Sequence, residues 1–343
     1  MKRLARLVAL LALLLLASAA FAADAPELHV AAKDRRNPEQ TYLTYPEWFL
    51  VFSPEEYAAL LKTGRSSDFP WFRHVGQFWS GYGKVIDATS KYPYNGEYHT
   101  MIVVIGASTT VEYGLKGIYE TLFGRLAELT APPNATAEDR LAAREARDYV
   151  DFIRVRPWYE FDFASRLKEL WTTTPMGGPH LLRKWERRYL LTTEWGVKAA
   201  YGWVLGKATR STFAVPLETT VAVVQGLPAD ADRARRLRVL RSEGGTSLVE
   251  LPRYHAFTGE ALALAARGVR FVEIAGNRDN ILVSSVMPSS TPDTPGVPVL
   301  IRQPILTRPG YERRVLQVPV ARLSDVLSEG TRSGHVFEHV FDF

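Results

Sequence analysis

Near Val215 the hydrophobic pattern of the chain changes period, and this change constrains the fold more than any single motif. Before it, apolar residues recur every three or four positions over long stretches, as they do along helices; after it they gather in short β-branched runs. Ser53-Pro54-Glu55-Glu56, a capping serine followed by proline at the first helical position, predicts a helix to about Lys62 with Gly64 as its stop. Further helices are expected over 71–90, 97–129, 137–153, 161–173 and 180–208, separated by Tyr92-Pro93, Pro132-Pro133 and Gly177-Gly178-Pro179. Strands are expected over 219–224, 237–241, 247–251, 269–274 and 281–286, with helices over 230–236 and 255–267 between them. With Glu243-Gly244-Gly245 as a hairpin turn, the order β-α-β-β-α-β is that of a ferredoxin-like unit. Runs over 300–306, 315–320 and 335–343 and a helix over 323–328 extend that sheet or form a second half-unit. The fold class expected is α+β: a helical bundle over 45–213, then a ferredoxin-like α/β sandwich domain over 214–343.

The first residues set an address. Lys2, Arg3 and Arg6 precede an almost unbroken Leu, Val and Ala run from Leu7 to Leu16, and Ala20-Phe21-Ala22 has the small-x-small pattern read by signal peptidase. A signal peptide over 1–22 is expected, with cleavage before Ala23 and an extended segment over 23–44, which makes the mature protein periplasmic or secreted. The alternative is an inner-membrane anchor formed by the same segment left uncleaved. The chain contains no cysteine, which excludes disulfides, thiolate metal sites and a lipid-modified cysteine. Its formal charge of +5 falls to +2 once the three leader cations are removed. Near-neutrality and export together argue against a nucleic-acid partner.

Sixteen residues from Thr110 to Arg125 align without a gap on Thr192 to Lys207, with six identities. Pro93/Pro175 and Gly96/Gly178 keep the same offset of 82 residues. This points to a duplicated helical hairpin over 93–125 and 175–207. Glu112, Lys116 and Tyr119 share one helix face, as do Glu194, Lys198 and Tyr201. Beside them Val111, Leu115, Ile118 and Leu122, with Thr193, Val197, Ala200 and Val204 in the second copy, form an apolar stripe assigned to the core. Thr110, Gly114, Gly117 and Gly124, matched by Thr192, Gly196, Ala199 and Gly206, form a small-residue stripe that would let the two copies approach closely. The bland reading is two helix-supporting ion pairs; the functional one is a polar pocket lined by both sets.

His99 and His180 stand near the starts of the two helices, placed to act as acid and base or, more plainly, to make capping hydrogen bonds. His335 and His339 alternate with phenylalanines along the last strand, too far apart to suggest a metal, and none is expected. Arg233, Arg235, Arg236, Arg238 and Arg241 form a basic cluster that reads first as solvated surface. The sequence holds no nucleophile elbow, phosphate-binding loop, His-Glu-x-x-His or EF-hand pattern, and it identifies no cofactor.

Thr44-Tyr45-Pro46-Glu47-Trp48, Tyr94-Asn95-Gly96-Glu97-Tyr98-His99, Arg183-Lys184-Trp185-Glu186-Arg187 and Arg270-Phe271-Val272-Glu273-Ile274-Ala275-Gly276-Asn277 resemble a family of uncharacterised bacterial exported or membrane-anchored proteins. The resemblance implies an envelope setting and carries no activity or binding residue. Three functions fit the residues. The first is an envelope protein binding a small polar ligand or a protein partner near Glu112, Lys116, Glu194 and Lys198. The second is an envelope hydrolase using these carboxylates with His99 or His180, and the third is a structural protein whose aromatic helices form an interaction surface for the membrane, in peripheral contact, or for an envelope complex.

Overall fold

The computed structural model describes residues 28–132, 134–209, 218–231 and 237–343. The leader over 1–22, most of the helix expected over 230–236 and the side chains of Arg233, Arg235 and Arg236 lie outside the described residues. The chain is α+β, with helices first and two antiparallel sheets after them.

Among the described residues six long helices build the first part: α1 Tyr45–Leu60, α2 Trp71–Thr89, α3 Gly96–Tyr119, α4 Ala137–Ile153, α5 Phe163–Thr173 and α6 Leu181–Thr209. Helix α1 starts eight residues before the expected Ser53, because Pro46 already provides the fixed φ of a first turn. Ser53 is therefore in mid-helix and fully buried, with Pro54 inside the helix. Helix α4 begins where expected, at a reciprocal cap in which the Thr136 side chain accepts from the Asp139 N–H and Asp139 accepts from the Thr136 N–H. Helix α3 runs into a π-helical turn, Glu120–Gly124, and one more short turn, Arg125–Glu128. At that turn Gly124 lies against the Glu120 carboxylate, which a Cβ would meet at 2.2 Å.

The first sheet has the strands β1 Thr219–Gln225, β2 Arg238–Glu243, β3 Thr246–Pro252 and β4 Arg270–Ile274 in the order β2-β3-β1-β4, all pairs antiparallel. Gly244 and Gly245, both at positive φ, close the β2–β3 hairpin as a tight turn requires. A separate sheet follows, with β5 Asn280–Pro288, β6 Val299–Pro304, β7 Tyr311–Pro319 and β8 Val336–Val340 in the order β6-β7-β5-β8. Its strand order repeats that of the first sheet position for position, so the C-terminal runs form their own sheet rather than extending the first. Helices α7 His255–Ala266 and α8 Leu323–Arg332 precede the last strand of each sheet and pack on each other.

One continuous core joins the helical and sheet parts. Phe49 and Phe52 of α1 and Phe78 and Tyr82 of α2 share a buried cluster with Val224, Leu282, Val315 and Val340 from the strands. Polar ties cross the same junction: the Tyr45 hydroxyl donates to Gln303 Oε1 at 2.9 Å and the Leu282 N–H donates to the Thr41 hydroxyl at 3.0 Å.

Candidate functional site

Helices α3 and α6 lie antiparallel, as the order of their contacts shows. Glu112 pairs with Lys198, Lys116 with Glu194, and the Tyr119 ring stacks on that of Tyr189. Lys116 Nζ lies 2.8 Å from Glu194 Oε2, and Lys198 Nζ lies 2.9 Å from Glu112 Oε1 and 3.0 Å from Glu194 Oε1. The ion pairs thus run crosswise between helices, apart from the single contact of Glu194 with Lys198 four residues on.

Each lysine also sits over two aromatic rings, Lys116 over Tyr57 and Trp71 and Lys198 over Tyr149 and Phe163. These rings come from corresponding places in the chain. Tyr57, Phe69 and Trp71 precede Tyr149, Phe161 and Phe163 by 92 residues, and each trio holds an edge-on pair between its tyrosine and its first phenylalanine. The Trp79 indole donates to the Thr110 hydroxyl at 2.9 Å, and the Trp171 indole donates to that of Thr192 at 3.1 Å.

Burial opposes ionisation throughout this cluster, yet the lysines hold the Glu194 carboxyl well below the usual carboxylate range. Glu194 in turn raises Lys116, and Glu112 and Glu194 raise Lys198, above their ordinary values. Glu145 of α4 faces the same group, and burial followed by the Glu194 charge pushes its carboxyl up to about 7. With Glu145 protonated, two ammonium groups balance two carboxylates. The cluster satisfies itself.

The remaining residues singled out from the sequence lie apart from it. Tyr119 and Tyr201 stand near the ends of the pair, Tyr119 against Tyr189 and Tyr201 against Trp158. His99 is buried with its Nδ1 2.8 Å from the Tyr82 hydroxyl, while exposed His180 has its Nδ1 2.7 Å from the Thr130 carbonyl oxygen. His339 is stacked on Trp48, Arg238 pairs with Glu250 and Arg241 with Glu243. Among the described residues no group of three His, Cys, Asp or Glu could hold a metal ion.

The apolar stripe assigned to the core faces outward instead. Val111, Leu115, Ile118 and Leu122 are exposed, Leu115 by 65%, and Val197 and Val204 are exposed likewise. The stripe continues through Phe123, Leu126 and Leu129 on one helix and through Leu181, Leu182, Trp185, Tyr189, Tyr201 and Trp203 on the other. The cause is the ion cluster: once Lys116, Glu194 and Lys198 face inward, helical period sends the adjoining stripe outward. The small-residue stripe does not bring the two helices together either. Gly117 lies against Trp71 and Phe72 of α2, and a Cβ on Gly114, Gly196 or Gly206 would meet nothing.

Two buried networks went unread in the sequence. Arg187 holds Glu120 through two bonds of 2.9 Å, Arg183 reaches Asp139 at 2.8 Å, and Arg188 reaches Glu138 at 2.8 Å. All three arginines are nearly inaccessible. Their four-residue spacing in Arg183–Arg187 was the available signal, since it marks the inward face of α6. In the second network Ser53 Oγ lies 3.0 Å from His74 Nδ1 and 2.9 Å from the Tyr113 hydroxyl. His74 Nε2 faces Glu56 Oε2 at 3.6 Å, and Arg313 of β7 donates to Glu56 Oε1 at 3.1 Å. Burial, then Arg313 and Arg73, push His74 down to about 3, and burial pushes Glu56 up to about 7. Serine, histidine and carboxylate are the groups of a hydrolase, but Ser53 and His74 are wholly inaccessible and line neither of the two cavities described below.

One cavity, of about 240 Å³, is an apolar groove between α3 and α6, walled by Tyr119, Phe123, Leu126, Leu182, Trp185 and Tyr189. The other, of about 230 Å³, lies at the α2–α3 turn and includes His99. No family model, curated protein or solved structure matches this chain.

Proposed function

We propose that this is an exported, peripheral envelope protein that seats the outer face of α3 and α6 in a lipid bilayer surface. The observation that carries this reading is the apolar face itself. From Val103 to Phe123 the only exposed charged residue of α3 is Glu112, already held by Lys198, and from Leu181 to Val204 the exposed residues of α6 include no charged side chain. Contiguous exposed apolar faces of this kind mark surfaces that meet a membrane or a partner. Each large side chain withdrawn from water there would contribute roughly 1 kcal/mol.

Lipid suits this face better than a protein surface. Tryptophan and tyrosine, the residues of a bilayer's interfacial belt, stand along α6 at positions 185, 189, 201 and 203. Lys207, with its Nζ 3.8 Å over the Trp203 ring, and exposed Arg125 place cations at the limits of the stripes, where anionic headgroups would meet them. No helix among the described residues is long and apolar enough to cross a membrane, and the proposed mode is in-plane seating. Behind the face, the paired lysines and glutamates tie α3 to α6 without presenting a free charge to lipid.

The corresponding ring sets and indole bonds support a duplicated origin for the helical part, reaching back to Tyr57 and Tyr149. The strand order of each sheet supports the ferredoxin-like reading for the C-terminal part. Co-sedimentation with phosphatidylglycerol–phosphatidylethanolamine vesicles tests the function. The wild type is expected in the pellet and the Leu115→Glu/Val197→Glu variant in the supernatant, since both side chains are more than 60% exposed and their exchange spares the core. A wild type that ignores vesicles, or that buries this face in a stable dimer without lipid, overturns the reading.

A further inference from the structure

The cavity at the α2–α3 turn is separate from the apolar face and has a different chemistry. Tyr82 and Ile86 of α2, Tyr92 and Tyr94 of the turn, His99 of α3 and Glu39 line it. The Tyr94 ring is exposed and stacks on the His99 imidazole with centroids 4.8 Å apart. The Tyr82 hydroxyl and His99 Nδ1 are bonded to each other, and burial lowers the His99 pKa, so this wall carries no cation at neutral pH. Lys91 Nζ stands 5.0 Å over the Tyr92 ring, so that ring already accepts a cation from the protein itself.

Glu39 is the second observation. Only 6% of the residue is exposed. It makes no capping bond to the short helix Gln40–Leu43 that follows, and no hydrogen bond or ion pair reaches its carboxylate among the described residues. A carboxylate at the cavity wall with no protein donor on it leaves its charge for an incoming cation to pair with.

We propose that this cavity binds a compact organic cation of the quaternary-ammonium type. The rings of Tyr82, Tyr92 and Tyr94 and the Glu39 carboxylate give this wall negative potential, beside the side chains of Thr89, Ser90 and Asn95. A trimethylammonium group needs no acceptor: its methyl groups can lie against the rings while its charge pairs with the carboxylate. A metal ion would find a single carboxylate. The group could arrive on a free solute or on a lipid headgroup, and the chemistry of capture is the same.

Isothermal titration of the purified protein with choline, with glycerophosphocholine and with neohexanol, the uncharged isostere of choline, tests the site. Choline is expected to bind roughly ten-fold or more tightly than neohexanol. Glu39→Gln should cost at least about ten-fold in choline affinity, and Tyr94→Leu should weaken it where Tyr94→Phe does not. Glycerophosphocholine binding more than ten-fold tighter than choline assigns a lipid headgroup, and equal or weaker binding assigns a free solute. Absence of binding by both cations, equal binding of neohexanol, or unchanged affinity in a folded Glu39→Gln variant overturns the proposal. Tyr94 is 79% exposed, so its variants fold and keep the test decisive if Glu39→Gln does not.

Discussion

Exchanging Glu194 for glutamine should separate two glutamates that the aligned segments make equivalent. Glu194 accepts from both lysines, and Lys116, whose side chain is only 10% exposed, has no other carboxylate in contact among the described residues. The variant leaves that ammonium with the faces of Tyr57 and Trp71 alone. Removing one partner of a buried pair costs about 3–5 kcal/mol. Part of this is recovered by Glu145: its carboxyl is raised partly by the Glu194 charge, so it ionises more readily once that charge is gone. The expected loss is therefore near the lower limit, about 3 kcal/mol, or roughly 6 °C in Tm for a chain of this size. Glu112→Gln should cost less than about 1 kcal/mol, because Glu112 is 43% exposed and Lys198 keeps Glu194. Urea unfolding at neutral pH, followed by circular dichroism and tryptophan fluorescence, gives both values. Adding Lys116→Met to Glu194→Gln should restore much of the loss. Equal costs for the two glutamates, or a cost below about 1 kcal/mol for Glu194→Gln, would refute the crosswise cluster.

Glu145 gives a pH dependence of definite sign. Its carboxyl is raised from 4.5 to about 7, so the stability gained from its neutral form is complete below the unfolded value and lost as pH rises through 7. Glu145→Gln should abolish a loss of about 3 kcal/mol between pH 4.5 and 8, and unfolding curves across that range will show an unchanged slope if the assignment is wrong. Two glycine exchanges should act oppositely in thermal melts. Gly124→Ala drives a methyl into the Glu120 carboxylate that Arg187 holds, and should destabilise by about 2 kcal/mol. Gly196→Ala meets nothing and should stabilise α6 by about 0.5–1 kcal/mol; a loss there would mean a contact the helix does not show.

What the sequence made legible depended on whether the signal was local. The Thr136–Asp139 cap and the Gly244-Gly245 turn act through their own neighbours, and α4 and the β2–β3 hairpin stand where those residues put them. Ser53-Pro54 carries an equally good local signal and misled, because Pro46 had started the helix already and Ser53 was needed inside, against His74 and Tyr113. Periodicity placed Leu115 and Val197 beside Lys116 and Lys198, but a period defines a face and not what lies opposite it. The assumption that the apolar face turns inward fails where buried ion pairs claim the interior. Nor does spacing reveal pairing: Glu112 and Lys116 stand four apart, as Glu194 and Lys198 do, yet only the second set pairs within its helix. The partner of Arg188, Glu138 on α4, lies 50 residues away, beyond the reach of any helical pattern.

The lipid-facing role of α3 and α6 can be measured one residue at a time, because a chain without cysteine accepts a single spin label at any chosen exposed site. Labels at Leu115→Cys and Val197→Cys should gain oxygen accessibility and lose that of a water-soluble nickel relaxant when vesicles are added. Labels at Lys84→Cys and Arg147→Cys, on exposed polar faces of α2 and α4, should remain open to nickel throughout. Labels 115 and 197 that stay as accessible to nickel with vesicles as without them would contradict membrane seating.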